Sequence, residues 1–239
     1  MFTIINIECT LANKFQSMAK LFQFLFFATA VLEIVSQVFG LPTLHILAKP
    51  LLVIFLGVYY QQSVSSPSRF FLLALSFCWA GDVFLLFDHL HELYFMAGLG
   101  SFLVAHCFFI LSYRQMRSTA VGLNGPQRAR LSFPVLLAGT GLITILYPSL
   151  GGLKVPVMIY AFVLTMMVLQ SIFRYGRTSG KSFWLIVSGA TSFMLSDSLL
   201  AINKFSQLIP QAGILVMTTY IAAIYLITQG AIVYGDLKK

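Results

Sequence analysis

Charge is what this 239-residue chain has least of: 15 basic and 7 acidic residues make up 9% of it. A soluble domain carries roughly a quarter charged residues and about half apolar ones. Here 59% are hydrophobic and the mean hydropathy is +0.89. A soluble globule of this length would leave much of that apolar surface wet, which all but excludes a soluble enzyme. Disorder is excluded too, because disordered chains are poor in aromatics and this one holds 23 Phe and 10 Tyr. Cysteine is scarce as well. Cys9, Cys78 and Cys107 are odd in number, scattered, and form no CxxC, so neither a disulfide framework nor a zinc site is supported. The histidines are His45, His89, His91 and His106, with no HExxH or similar spacing. Membrane hydrolases that hold zinc with three histidines and an aspartate therefore fit poorly. Intramembrane serine proteolysis fits poorly too, since no Gly-x-Ser-x-Gly or Gly-x-Ser-Gly occurs.

What the chain has in abundance is long apolar runs. A membrane-crossing helix needs about 20 mostly apolar residues, and eight runs qualify: Leu21–Gly40, Leu44–Gln61, Arg69–Phe87, Leu93–Tyr113, Leu131–Leu150, Val155–Phe173, Phe183–Ile202 and Ile209–Tyr234. Turn residues separate them: Leu41-Pro42, Ser65-Ser66-Pro67-Ser68, Asn124-Gly125-Pro126, Pro148 with Gly151-Gly152, Gly180 and Pro210. Membrane β-strands would be short and alternating, so these runs read as helices. The expected fold is an all-α polytopic bundle of eight transmembrane helices over 21–234, flanked by an N-terminal segment, 1–20, and a C-terminal tail, 235–239. Ala28-Thr29-Ala30 has the small-x-small look of a signal cleavage site. The apolar run continues to Phe39, however, so a retained first helix is expected.

Orientation follows the basic residues. One side collects Lys14, Lys20, Arg69, Arg114, Arg117, Arg128, Arg130, Arg174, Arg177, Lys181, Lys238 and Lys239, and the other only Lys154 and Lys204. Both termini, with their flanking segments, are therefore expected in the cytoplasm. The net charge of +8 becomes a topology signal and a contact for anionic lipid, and a nucleic-acid partner drops out. Such a protein belongs in the inner membrane of a bacterium or the endoplasmic reticulum of a eukaryote.

An ionisable group inside a span costs at least ~2.5 kcal/mol near a helix centre and marks a functional site by default. The sequence offers Glu33, Lys49, Asp82, His106 and Asp197; Asp88, His89, His91 and Glu92 fall in a loop. Asp82 and Asp197 each lie five residues before the outer end of their expected span, and Lys49 lies five residues into its own. At 1.5 Å per residue this places all three roughly 7–8 Å inside the same boundary, as one polar layer. Lys49 has a second reading as the partner of a helix-stapling ion pair. His106 reads equally as a hydrogen-bonded helix partner, and Glu33 as a single polar residue. Ala74, Cys78 and Asp82 share one face of the third helix. Ser188, Ser192 and Ser196 make a small-residue ladder beside Gly189, Phe193 and Asp197 on the seventh. A small-Asp-x-x-Leu likeness between the segments around the two aspartates is no more than chance provides.

Burial and mutual repulsion favour one protonated and one ionised carboxyl in such a pair, an acid and a base. Three classes use this: a lipid hydrolase, an intramembrane aspartyl protease and a proton-coupled transporter. The protease pattern needs Tyr-Asp, then Gly-x-Gly-Asp on the next helix, then Pro-Ala-Leu. Here Trp79 replaces the first Gly, Asp197 comes four helices later behind Ser196, and Pro-Ala-Leu is missing. A proton-coupled transporter of small molecules or lipids remains the alternative to a hydrolase.

The order of motifs is also informative. Lys49-Pro50, Gly81-Asp82, His106, Tyr160, Gly189-Ala190-x-x-Phe193-x-x-Ser196-Asp197-x-x-Leu200-Ala201 and Thr219-Tyr220 follow one another across everything after residue 44. In this the chain resembles the lysoplasmalogenase, or YhhN-like, family of multi-pass membrane hydrolases. The eighth helix departs from that family's Tyr-Tyr-x-Ala-Gln, reading Tyr220-Ile221-Ala222-Ala223-Ile224, so the resemblance speaks more firmly for fold than for substrate. It implies hydrolysis of the vinyl ether bond of a lysoplasmalogen to a fatty aldehyde and glycerophospho-ethanolamine or -choline. The partners are then the lysolipid, the bilayer and water, with no metal or organic cofactor. Asp82 and Asp197 would divide acid and base, Lys49 would hold phosphate or tune one Asp, and His106, Tyr160, Tyr220 and Ser196 would line the substrate site.

Overall fold

The computed structural model describes residues 2–236, with side chains from 16 to 236; the side chains of Cys9 and Lys14, and residues 237–239 with Lys238 and Lys239, lie outside the described part. Eight α-helices follow one another: α1 (Phe2–Phe39), α2 (Pro42–Ser63), α3 (Arg69–Leu86), α4 (Glu92–Gln115), α5 (Gly125–Leu146), α6 (Lys154–Ile172), α7 (Gly180–Phe205) and α8 (Ala212–Asp236). All eight are long and apolar enough to cross a membrane, α1 through its Gln16–Phe39 stretch. Large apolar side chains such as Phe24, Val31, Phe133, Leu137 and Trp184 point outward, the reverse of a water-facing surface. The chain is a multi-pass integral membrane protein. With eight crossings, α1 begins and α8 ends at the same end of the bundle.

Local chemistry sets the helix ends. Gly40, at φ +62°, closes α1 in the left-handed conformation that glycine tolerates, and Pro42 opens α2 one residue after Leu41. Ser68 caps α3 and Ser179 caps α7 by accepting from Phe71 N and Ser182 N. The expected start of the fifth helix at Leu131 is corrected. Asn124 and Gln127 form a reciprocal capping box, 2.9 and 3.1 Å, so the helix begins at Gly125. Arg128 and Arg130, counted as loop charges, therefore ride on α5. Helix α7 likewise extends past both ends of the expected Phe183–Ile202.

Helices α1, α2, α3, α4, α6, α7 and α8 close into a ring, each against the next and α8 back on α1 and α2. Helix α5 stands outside this ring, against α6 and α7. The main core fills the ring's centre. A satellite cluster of Leu142, Leu146, Leu150 and Val157 packs between α5 and its neighbours. Small residues make the closest approaches. A Cβ on Gly189 would meet Ile227 N at 2.8 Å and Ala223 O at 2.9 Å, both backbone atoms of α8. The α7–α8 seam thus runs through Ser182, Gly189 and Ser196, whose two hydroxyls donate to Gly230 O and Val216 O. Its spacing is seven, rather than the four of the Ser188, Ser192, Ser196 ladder.

Candidate active site

Asp82 ends a stripe on α3 in which Ala74 and Cys78 are also fully buried. Gly81 beside it lets α4 close in: a Cβ there would strike the Phe102 ring at 2.6 Å. The Asp82 side chain accepts a 2.6 Å bond from the Tyr220 hydroxyl of α8. Asp197, on α7, accepts a 2.5 Å bond from the Tyr160 hydroxyl of α6. His106 of α4, itself fully buried, brings Nε2 to 3.6 Å from Asp197 Oδ2. Its two ring nitrogens have no hydrogen-bond partner among the described residues.

Aromatic rings link these groups into one packed cluster. Phe193 packs on His106 and on Tyr220, at 4.8 and 5.5 Å between centroids. Phe102 packs on Phe193 and Tyr220, and Tyr160 on His106. The two carboxylates are close enough to repel one another. Lys49, 7% exposed on α2, attracts Asp82, but neither Asp82 nor Asp197 lies within 4.0 Å of its ammonium as an ion pair. The ion-pair staple considered for Lys49 is thus absent among the described residues. Asp82, Asp197, Lys49, His106, Tyr160 and Tyr220 converge. Ser196 stands next to Asp197, its hydroxyl engaged by the α8 backbone. Among the described residues no three His, Cys, Asp or Glu side chains group as metal ligands.

The two aspartates differ in what they face. Asp82 is 1% exposed. Asp197 keeps 10% of its side chain accessible, on an apolar crevice of about 30 Å³ walled by Tyr160, Leu99, Leu142, Leu146, Leu200 and Phe205. That is about one water molecule's share of the liquid.

Glu33 is more than a single polar residue. It is fully buried, and its Oε1 lies 2.7 Å from His45 Nδ1 and 3.1 Å from Gln37 Nε2. Its other oxygen has no partner among the described residues, and its charge reaches Asp82. One sequence signal could have found this cluster: His45 and Lys49 are four apart and share a face of α2.

The model of the YhhN family matches residues 44–231. Among curated proteins, lysoplasmalogenase TMEM86B of Homo sapiens is 30% identical over 138 residues, 58% of this chain and 54% of the relative. Lysoplasmalogenase of Mycobacterium tuberculosis is 33% identical over 140 residues, 57% and 50%. Lysoplasmalogenase TMEM86A of Homo sapiens is 29% identical over 181 residues, 74% and 70%. The chain spans about half the length of the first two. No solved structure matches it.

Proposed function

The chain belongs to the YhhN family, and from that footing we propose that it is a membrane-embedded lysoplasmalogenase. It cleaves the vinyl ether bond of a lysoplasmalogen, releasing a fatty aldehyde and a glycerophospho-ethanolamine or -choline. One observation carries the reading: two tyrosine-bonded carboxylates belong to one buried cluster, and one of them, Asp197, opens onto an apolar crevice. The relatives named lysoplasmalogenase support it.

A vinyl ether, R–O–CH=CH–R′, breaks after proton transfer to the carbon β to oxygen. The C=C electron pair forms the new C–H bond, and an oxygen lone pair completes an oxocarbenium ion. Asp197 is the proton donor, because it is the carboxylate facing the crevice where the alkenyl chain lies; Tyr160 holds it in place by a hydrogen bond, with His106 Nε2 3.6 Å away. Water adds to the cationic carbon and surrenders a proton to a carboxylate, as in glycoside hydrolysis. Asp82, oriented by Tyr220 and attracted by Lys49, stabilises the cation and takes that proton. The hemiacetal then collapses: the proton on Asp82 passes to the glyceryl oxygen, which leaves as the alcohol, and the hemiacetal hydroxyl returns a proton to Asp197 as its C=O bond forms and the aldehyde is freed. One water is consumed, and the chemistry asks for no metal or organic cofactor.

The Lys49 ammonium, buried with no carboxylate within 4.0 Å among the described residues, holds the headgroup phosphate. A crevice of about 30 Å³ is too small for an alkenyl chain, so α5, the helix outside the ring, parts from α6 and α7 to admit one from the bilayer. Residues 21–234 form the catalytic membrane domain, with 1–20 and 235–239 as cytoplasmic flanks, and the cluster lies toward the outer leaflet.

The test is aldehyde release from a lysoplasmalogen by the purified full chain, alone and as Asp82→Asn and Asp197→Asn. No release by the unmodified protein would sink the activity. Near-normal release by either variant would sink the two-carboxylate mechanism.

A further inference from the structure

At the end of the bundle remote from the carboxylates, the loop between α4 and α5 lies against the loop between α6 and α7. Ser118 N donates to Arg177 O at 2.8 Å. Gly122 passes so near that a Cβ on it would meet Arg177 Nε at 2.7 Å and Tyr175 O at 3.2 Å. Gly176 allows the matching turn with φ +70°. Five arginines surround this junction: Arg114 in the last turn of α4, Arg128 in the first turns of α5, and Arg117, Arg174 and Arg177 in the loops.

They differ in how they are employed. Arg174 is a structural staple, fully buried. It donates to Met116 O, Ser182 O, the Thr178 hydroxyl and the Ser182 hydroxyl. Arg128 donates to Leu123 O and covers the Phe173 ring at 5.8 Å. Arg117 uses one amino group on the Gln170 carbonyl and side-chain oxygens, while its Nε is buried with no acceptor. Arg177 is the most idle: its Nε is also buried without an acceptor, and its guanidinium bonds to no described residue. None of the five has a carboxylate within 4.0 Å among the described residues. Their mutual repulsion is felt, since burial first, then Arg177, Arg114 and Arg128, lower the Arg117 guanidinium to about 10.

Topology rules explain basic residues near a membrane surface. They do not explain why two guanidinium donors are withdrawn from water and left facing other cations. A buried charged donor without an acceptor is costly, and one group with several anionic oxygens would satisfy both donors and offset the repulsion. Guanidinium and phosphate match in this geometry. We propose that the junction of these two loops is a binding site for a phosphate group, clamped by Arg117 and Arg177 and attracted by Arg114 and Arg128. The phosphate belongs either to an anionic lipid headgroup of the adjacent leaflet or to a soluble phosphorylated compound.

The full chain in detergent would be incubated with phosphatidic acid and with phosphatidylcholine of the same acyl chains, and bound lipid counted by native mass spectrometry. In a second arm, inorganic phosphate would be titrated while thermal unfolding is followed. We expect phosphatidic acid to be retained about tenfold over phosphatidylcholine, a 1.4 kcal/mol preference, and Arg177→Gln to erase that preference. Arg177→Gln removes no hydrogen bond of the fold, so it reports even where Arg117→Gln fails to fold. A rise in unfolding temperature with inorganic phosphate, without lipid preference but lost in Arg177→Gln, assigns the site to a soluble phosphate. Three results overturn the proposal: no response to either probe, an unchanged response in Arg177→Gln, or an equal loss in Arg130→Gln, an exposed neighbour outside the cluster. Aldehyde release is read separately, so neither proposal's failure is mistaken for the other's.

Discussion

Asp82 and Asp197 are held alike, each accepting one tyrosine hydroxyl, at 2.6 and 2.5 Å, and each on the inward face of a helix running in the same direction. Their surroundings differ. Asp82 is sealed, with the ammonium of Lys49 and the carboxylate of Glu33 in electrostatic reach. Asp197 meets a neutral apolar crevice on one side and a buried imidazole on the other. The same hydrogen bond therefore has an ammonium and a second carboxylate, Glu33, in reach in one case, and only the other aspartate in the other. The neighbours, rather than the tyrosines, are what can make one carboxyl an acid and the other a base.

Replacing the carboxylates is the strongest way to break this comparison. Asp197→Asn should lower kcat/KM for aldehyde release by about 10³–10⁴ and Asp82→Asn by about 10², within the range of general acid–base contributions. The reverse order would exchange the two roles. Removing the tyrosine hydroxyls comes next. A hydrogen bond to a charged group is worth about 1.5–3 kcal/mol, so Tyr160→Phe and Tyr220→Phe should each cost roughly ten- to a hundredfold in kcat. A loss confined to one of them would show that the shared geometry is not shared in function. Filling the crevice should touch only the Asp197 side: Leu146→Trp should raise KM several-fold for long alkenyl chains more than for short ones, and an unchanged chain-length profile would move the tail elsewhere. The smallest effect is expected at Ser196. Its hydroxyl ties α7 to α8, so Ser196→Ala should cost about 1 kcal/mol of stability with turnover unchanged. A raised KM in a normally stable variant would instead place it against substrate.

Much of the architecture was legible in the chain. Eight apolar runs became eight helices, because length and hydropathy decide whether a segment can cross a bilayer. Boundaries slipped where polar capping extended a helix beyond its apolar stretch, as at Asn124 and Gln127. The seven-residue spacing of Ser182, Gly189 and Ser196 was obscured by the denser serines beside it. Arg174 read as one more loop charge, yet it is fully buried among backbone carbonyls and hydroxyls. The sequence around it does not mark that fate, since one of its acceptors, Met116 O, lies 58 positions away.

Composition and the lengths of the apolar runs determined that this protein lives in the membrane, that it is helical, and that few ionisable groups remain inside. These are local properties: in hydrocarbon each segment must satisfy its own backbone, whatever its neighbours do. Which tyrosine bonds to which aspartate, that Glu33 meets His45, that α5 stands outside the ring, and that the arginines gather with no carboxylate within 4.0 Å among the described residues were decided only in three dimensions. Each depends on contacts between helices distant in sequence, such as Tyr220 with Asp82 across 138 positions, and packing of small residues at helix crossings, not hydropathy, selects those contacts.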